Sequence, residues 1–160
     1  MKNIRPQTID QRPLLIKPRP KTDLRTQFAA LCFKMVRKRP EFLLITSRGS
    51  GRWVIPKGWP ADGKTPAESA LKEAWEEAGV IGQLSGGCLG MFSYSKTLES
   101  GSDILCAAMV FPIKVIKLKD KFPESIQRKR RWFSRKKAAK KLENPELAAV
   151  IKIFDPDLSA

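Results

Sequence analysis

The sequence predicts an α+β fold, an α/β/α sandwich in which a mixed β-sheet lies between helices. Two stretches of apolar, β-compatible residues come first, a well-capped helix follows, and further strand-like stretches lead to two C-terminal helices. The chain has 160 residues, which is enough for one domain whose hydrophobic core needs no disulfide or metal to hold it together.

The first 22 residues differ in composition from the rest of the chain. They are basic, contain four prolines and lack the long apolar centre of a secretory signal. We expect residues 1–22 to form an extended or mobile arm and residues 23–160 to form the folded domain. No apolar run approaches the roughly 20 residues that span a bilayer, so we expect no membrane partner. We expect a cytoplasmic protein, because the cysteines lack the pattern of a disulfide framework.

Five stretches are expected to form strands. Residues 24–36 and 41–47 flank the turn RKRP and have the character of a hairpin. After a glycine-broken loop at residues 48–52 and a short apolar strand, two longer strands are expected at residues 88–96 and 103–118.

The clearest helix is TPAESALKEAWEEAG. Thr65 can act as its N-cap, and Glu68, three residues later, completes a capping box. Pro66 stands at the first helical position, and Gly79 can end the helix in the left-handed conformation. Two more helices are expected after Ser134 and after Asn144, since both residue types favour N-caps.

Three glutamates crowd one side of the first helix. Glu73, Glu76 and Glu77 stand at i, i+3 and i+4, so their side chains project in similar directions. They repel one another, and they lie near the helix C-terminus, where the macrodipole favours cations. A divalent cation would reverse both penalties, and carboxylate oxygens suit Mg²⁺ or Mn²⁺. For this helix taken alone, the alternative is a solvated surface helix whose glutamates form ion pairs with nearby lysines.

The charge balance favours an anionic partner. Lysine and arginine number 31 against 16 aspartates and glutamates, which gives a formal net charge of +15. This surplus suits nucleotides, polyphosphates, RNA or anionic lipid without choosing among them. The chain has no histidine, so histidine-based triads and zinc sites are excluded. The three cysteines form no CxxC pair and are expected to be reduced thiols.

The run GWPADGKTPAESALKEAWEEAGV resembles the Nudix box. That motif reads glycine, five residues, glutamate, seven residues, arginine-glutamate, an apolar residue, any residue, two glutamates, any residue, glycine and an apolar residue. Gly58, Glu73, Glu76, Glu77 and Gly79 fall in its register. The resemblance implies a Nudix hydrolase that attacks a pyrophosphate with water. It also implies that the three glutamates bind Mg²⁺, or Mn²⁺, with help from the carbonyl of Gly58.

The same resemblance implies roles for individual acids. Glu76 is the first candidate for the general base, and Glu73 is the other candidate catalytic acid. The base varies across the family, so Glu124 or another loop acid stays open.

Two positions depart from the motif: Lys64 replaces its first glutamate, and Lys72 replaces its arginine. In the family those two residues brace the loop against the helix. Glu68 lies four residues before Lys72, the favourable order for a helical ion pair. We therefore expect a Glu68–Lys72 pair to take over the bracing.

Two further segments indicate which subgroup of this family the chain resembles. QRKRRWFS is similar to the GRKREWF segment of diphosphoinositol polyphosphate phosphohydrolases. RWVIPKGW is similar to the corresponding segment of those enzymes and of asymmetric diadenosine polyphosphate hydrolases. The resemblance implies a very anionic polyphosphate substrate, and the chain offers several basic residues to bind its phosphates. The candidates are Arg48, Arg52, Lys57, Arg128 and Arg130.

Two alternatives stay open. Within the enzyme class, the substrate could be a nucleoside triphosphate or the 5′ pyrophosphate of RNA. In another class, the chain could be a basic RNA-binding protein on a Nudix scaffold whose catalysis Lys64 and Lys72 have weakened. The intact glutamates argue against this last reading, because a binding module has no need for three repelling acids. The sequence does not predict the oligomeric state.

Overall fold

The computed structural model describes residue 13 and residues 25–159, so the expected arm at residues 1–22 lies almost wholly outside the described residues. The described part forms eight strands and four helices. In chain order they are β1 (Arg25–Val36), β2 (Arg39–Thr46), β3 (Trp53–Val54), β4 (Lys57–Gly58), α1 (Pro66–Ala78), β5 (Val80–Leu84), β6 (Gly90–Thr97), β7 (Asp103–Leu118), β8 (Arg130–Ser134), α2 (Arg135–Lys141), α3 (Pro145–Ile153) and α4 (Pro156–Ser159). No helix among the described residues is both long enough and apolar enough to cross a membrane.

The strands form one mixed sheet in the order β3-β2-β1-β7-β5. Strand β4 also pairs with β1, β6 with β7 and β8 with β2. The central pair, β1 and β7, is parallel, and the other pairs are antiparallel. Strand β5, which the sequence did not predict, contains a register shift between Ile81 and Gly82.

The expected hairpin of β1 and β2 is confirmed. Its two-residue turn consists of Arg37 and Lys38, whose φ angles are 50° and 64°. Positive φ at both central residues gives a turn whose twist matches that of the flanking strands.

Two apolar layers lie on opposite faces of the sheet, which confirms the predicted α/β/α sandwich. On one face, the alanines Ala67, Ala70, Ala74 and Ala78 of α1 are buried against β1, β2 and β7. On the other face, α2 and α3 cover a second cluster, in which Phe154 packs edge-on against Phe33. The small side chains bring α1 close to the sheet, and this proximity positions its acids.

The expected caps of α1 are also confirmed. The Thr65 hydroxyl accepts from the Glu68 amide at 3.2 Å, and Glu68 Oε1 accepts from the Thr65 amide at 3.1 Å. Gly79 follows the helix with φ 67°, a conformation that glycine adopts at little cost. Ser134 and Asn144 cap α2 and α3 as predicted.

Candidate active site

A cleft of about 970 Å³ opens beside α1 and the two-residue strand β4. Acidic and basic side chains line it together. We call Glu73, Glu76, Glu77 and Glu124 the cleft acids, and Arg48, Arg52, Lys57 and Lys96 the cleft cations. All of the predicted metal-binding glutamates therefore reach one cleft. Four of the five predicted phosphate-binding residues also line it, namely Arg48, Arg52, Lys57 and Arg128.

Gly58 faces the carboxylate of Glu73 at the edge of the cleft. It lies in β4 opposite Phe28 of β1, and a Cβ atom at this position would overlap the Glu73 carboxylate. Burial raises the pKa of Glu73, and the neighbouring charge of Glu76 raises it further. A side chain at position 58 would therefore displace the Glu73 carboxylate from its present place.

Glu77 is the most buried of the three glutamates on α1, with 5% of its surface exposed. Its Oε2 accepts from the backbone amide of Lys57 at 3.2 Å, and its Oε1 accepts from Arg128 at 3.0 Å. Burial raises the pKa of Glu77 to about 7, although the charge of Arg128 acts in the opposite direction.

Arg128 makes three polar contacts with the protein. Its Nη1 donates to the Thr46 carbonyl at 3.0 Å, and its Nη2 donates to Glu77 at 3.0 Å and to Glu124 at 3.3 Å. Its side chain is 8% exposed. This residue lines the cleft as predicted, but its guanidinium is engaged by protein oxygens.

The expected Glu68–Lys72 ion pair is wrong. Lys72 instead lies 3.4 Å from Glu76, one helical turn further along α1. The Glu68 carboxylate points back to the N-cap, where it satisfies the amide of Thr65. The capping box thus competes for the carboxylate that the ion pair would have used.

The cleft cations differ in how free their charges are. Arg48 is 3.4 Å from Glu124, and Arg52 is 3.3 Å from Glu143; both arginine side chains are mostly exposed. Lys57 is half-buried, and burial lowers its pKa. Its ammonium sits 4.8 Å from the centre of the Tyr94 ring.

Arg130 lies outside the cleft, contrary to its predicted role in phosphate binding. Its Nη1 donates to the Ala78 carbonyl at 2.8 Å, and its Nη2 lies 3.3 Å from Asp120. The guanidinium also stacks near Phe122. Arg130 therefore satisfies a terminal carbonyl of α1, where a positive charge complements the helix dipole.

Three other cleft residues were not singled out from the sequence. Lys96 lies 5.0 Å from the ring centre of Trp59. Tyr94 lies near Lys57, and burial raises the pKa of its hydroxyl. Gln27 is 2% exposed, and its side-chain oxygen has no hydrogen-bond partner among the described residues. All three come from strands, where alternation alone does not reveal which polar side chains meet at a cleft.

The cleft acids do not form a closed metal cage. Among residues 13 and 25–159, no three histidine, cysteine, aspartate or glutamate side chains converge tightly enough to hold a metal ion as they stand. Each acid except Glu73 has a cationic side chain within 3.4 Å. The site is thus an open group of carboxylates whose negative charges are partly neutralised by lysine and arginine side chains.

The model of the NUDIX domain family matches residues 25–154, which include every strand and helices α1 to α3. The chain belongs to the Nudix family. This result confirms the predicted family and its hydrolase class. The match also covers the whole cleft of this Nudix protein.

Curated relatives agree with the assignment. Over 117 residues, this Nudix protein is 35% identical to mouse diphosphoinositol polyphosphate phosphohydrolase 3-alpha, covering 72% of this chain and 67% of the relative. The human protein of the same name is 34% identical over the same length and shares of the two chains. Nudix hydrolase 12, mitochondrial, of Arabidopsis thaliana is 37% identical over 101 residues, which cover 61% of this chain and 50% of that protein.

Solved structures share the fold. The Ap4A hydrolase of C. elegans aligns with a TM-score of 0.57 at 17% identity, covering 81% of this chain and 95% of that one. A NUDIX hydrolase from Nitrosomonas europaea aligns with a TM-score of 0.60 at 19% identity, covering 81% and 87%. At these identities the likeness shows the Nudix fold alone.

Proposed function

We propose that this Nudix protein is a Mg²⁺-dependent pyrophosphohydrolase that cleaves a phosphoanhydride bond in a highly anionic polyphosphate. Diadenosine polyphosphates and diphosphoinositol polyphosphates are the substrate classes we favour, since the curated relatives carry the second of these in their names. The observation that carries the proposal is the meeting of the cleft acids and the cleft cations in one cleft.

The donor set of the cleft fits a hard divalent cation. Glu73 and Glu76 are half-buried on the open side of α1, and Glu77 lies behind them. Because Gly58 has no side chain, the Glu73 carboxylate lies close to the backbone of Gly58. Mg²⁺ binds proteins through a few carboxylates while keeping water or substrate phosphate, so an open group suits it better than a closed cage. We propose Glu73, Glu76, Glu77 and the carbonyl of Gly58 as its ligands, with Mn²⁺ as a substitute.

A bound Mg²⁺ supplies neutralisation of the phosphate oxygens and a Lewis acid that makes water more acidic. Glu76 is the proposed base, which takes the proton from the attacking water as the bridging P–O bond breaks. Its side chain is 35% exposed, and among the cations of the described residues Lys72 alone forms an ion pair with it. Glu124 is less suited, since both Arg48 and Arg128 lie within 3.4 Å of it.

The cleft cations provide the binding of the phosphate chain. Arg48 and Arg52 are exposed and can exchange their present acidic partners for phosphate, which accepts bidentate hydrogen bonds from guanidinium. Lys57 stands deeper, next to Glu77 and Tyr94. Four cationic side chains in one cleft suit a polyphosphate, which carries several charged groups, better than a substrate with a single phosphate group.

The direct test is product analysis with Mg²⁺ on a series of diadenosine polyphosphates, diphosphoinositol polyphosphates, a nucleoside triphosphate and a triphosphorylated RNA. We expect turnover of the first two classes and a loss of about 10²–10⁴-fold in kcat for Glu76→Gln. Glu41→Gln is the matched control, because Glu41 pairs with Lys34 away from the cleft. Turnover of the wild type that Glu76→Gln retains in full would refute the assigned role.

RNA is the second candidate substrate. Helix α2 exposes Lys136, Lys137, Lys140 and Lys141, a row of charges that suits a nucleic-acid backbone. Preferential pyrophosphate release from the triphosphorylated RNA would favour this alternative. Salt-sensitive RNA binding with no turnover of any substrate would favour the RNA-binding module.

We also propose that the protein is located in the cytoplasm. The described part of the chain contains free thiols at Cys32, Cys88 and Cys106, which suit a reducing compartment.

A further inference from the structure

Hydrogen bonds to Thr46, the last residue of β2, hold the segment that contains Arg128. The Thr46 amide donates to the Lys129 carbonyl at 2.9 Å, and the Lys129 amide donates to the Thr46 hydroxyl at 2.9 Å. The Arg128 side chain adds a third bond, from its Nη1 to the Thr46 carbonyl at 3.0 Å. The backbone around Arg128 is thus held by the sheet, so its guanidinium has a defined position.

From this position a single nitrogen joins two cleft acids that come from different segments. Nη2 donates to Glu77 of α1 and to Glu124 of the loop before β8. That loop is itself tied to α1, because the Glu124 amide donates to the Glu76 carbonyl at 3.0 Å. Without the guanidinium, Glu77 would lose its only ion-pair partner among the described residues, and Glu124 would keep only the exposed Arg48.

These contacts orient Glu77 without using up its capacity to bind a cation. The Lys57 amide holds one carboxylate oxygen and Arg128 holds the other. A carboxylate offers about four acceptor sites, so at least one site on each oxygen stays open. Hydrogen bonds of this kind fix the direction in which a metal-binding carboxylate points.

The burial of Arg128 leaves little of it for a substrate. Its side chain is 8% exposed, whereas those of Arg48 and Arg52 are 63% and 62% exposed. A phosphate group at Nη1 or Nη2 would compete with protein oxygens for those nitrogens. Nε has no hydrogen-bond partner among the described residues, but it is buried.

We propose that Arg128 is a positioning residue, which orients Glu77 and Glu124 toward a divalent cation in the cleft and does not bind the substrate itself. The inference rests on the proposed function, since it assumes that the cleft acids bind this cation. It replaces the phosphate-binding role that the sequence suggested for Arg128.

The test measures Mn²⁺ binding without substrate, by calorimetric titration or by electron paramagnetic resonance of free Mn²⁺. We expect Arg128→Lys and Arg128→Ala to weaken Mn²⁺ binding by roughly 10–100-fold, the usual effect of removing a residue that orients metal ligands. Arg130→Lys is the matched control and should match the wild type, because Arg130 contacts Ala78 and Asp120 outside the cleft. Thermal melts establish which variants fold, and Arg128→Lys keeps the charge if Arg128→Ala does not fold.

A kinetic comparison separates positioning from substrate binding. For Arg128→Lys, we expect the Mg²⁺ concentration for half-maximal activity to rise, while KM for the polyphosphate at saturating Mg²⁺ stays at the wild-type value. Unchanged Mn²⁺ binding, or a raised KM at saturating Mg²⁺, would overturn the inference and leave the proposed function intact. If the wild type binds no Mn²⁺ at all, the proposed function fails and the inference fails with it.

Discussion

The backbone amide of Lys57 donates to Oε2 of Glu77 across 3.2 Å, so strand β4 and helix α1 meet at one carboxylate. This contact separates Glu77 from its two neighbours on α1. Glu77 is buried toward the sheet, whereas Glu73 and Glu76 are half-buried beside the cleft. The three acids are thus chemically different, although they stand on one side of the same helix.

The first prediction concerns pH. Burial raises the pKa of Glu77 from 4.5 to about 7, so the folded protein keeps a proton there that the unfolded chain gives up. The free energy of unfolding of the metal-free protein should therefore fall as the pH rises from about 4.5 to about 7 and lose nothing more from this group above that window. Denaturant unfolding at a series of pH values measures it. Glu77→Gln should lack this component, and identical pH profiles for the two proteins would contradict the assignment.

A second prediction concerns Gly58. In Gly58→Ala, the new methyl group would displace the Glu73 carboxylate, so the affinity for Mn²⁺ should fall by roughly tenfold or more. Gly90→Ala is the control, since a Cβ there would lie 3.1 Å from a side-chain atom of Val150, away from the cleft. Calorimetric titration with Mn²⁺ compares the three proteins. Equal affinities for Gly58→Ala and the wild type would show that Glu73 does not bind the ion.

A third prediction concerns the cleft cations. Arg52→Gln should raise KM for a polyphosphate by roughly tenfold with little change in kcat, because it removes one charge-assisted contact that ground state and transition state share. Arg39→Gln, at the exposed start of β2, removes the same charge outside the cleft and should leave KM unchanged. Steady-state kinetics at fixed ionic strength decides the matter. A similar rise in KM for both variants would mean that only the net charge counts.

The fourth prediction concerns the start of α1. Thr65→Ala removes the hydroxyl that accepts from the Glu68 amide, so the free energy of unfolding should fall by about 1 kcal/mol. Thr65→Ser keeps the hydroxyl and should retain most of that stability. Chemical denaturation of the three proteins provides the measurement, and an undiminished stability of Thr65→Ala would mean that the cap contributes nothing.

Local signals in the sequence were enough to predict α1 and its caps. Thr65, Glu68 and Gly79 act on neighbours within five residues, so the pattern alone specifies their contacts. The spacing of the glutamates likewise predicted that they would reach one site. The sequence could not show that the capping box would take Glu68 away from Lys72, because both uses of the carboxylate are local and only the folded geometry chooses between them.

Contacts between distant segments could not be predicted. Arg128 and Glu77 are 51 residues apart, and their meeting depends on the pairing of β8 with β2 and on how closely α1 lies to the sheet. Arg130 belongs to the same basic run, yet it reaches the end of α1 and not the cleft. Arg128 lies in the loop before β8 and Arg130 begins that strand, so the path of this loop past α1, and not the run of charges itself, decides which arginine meets the cleft acids.

The central claim is that the cleft acids hold a divalent cation. The most direct measurement is an anomalous difference map from a crystal of the wild-type protein soaked in Mn²⁺. We expect a peak that lies within coordination distance of the Glu73 and Glu76 carboxylates and faces the Gly58 carbonyl. Crystals of Glu73→Gln should show no such peak. A fully soaked crystal with no peak in the cleft, from a protein that hydrolyses polyphosphates, would contradict it.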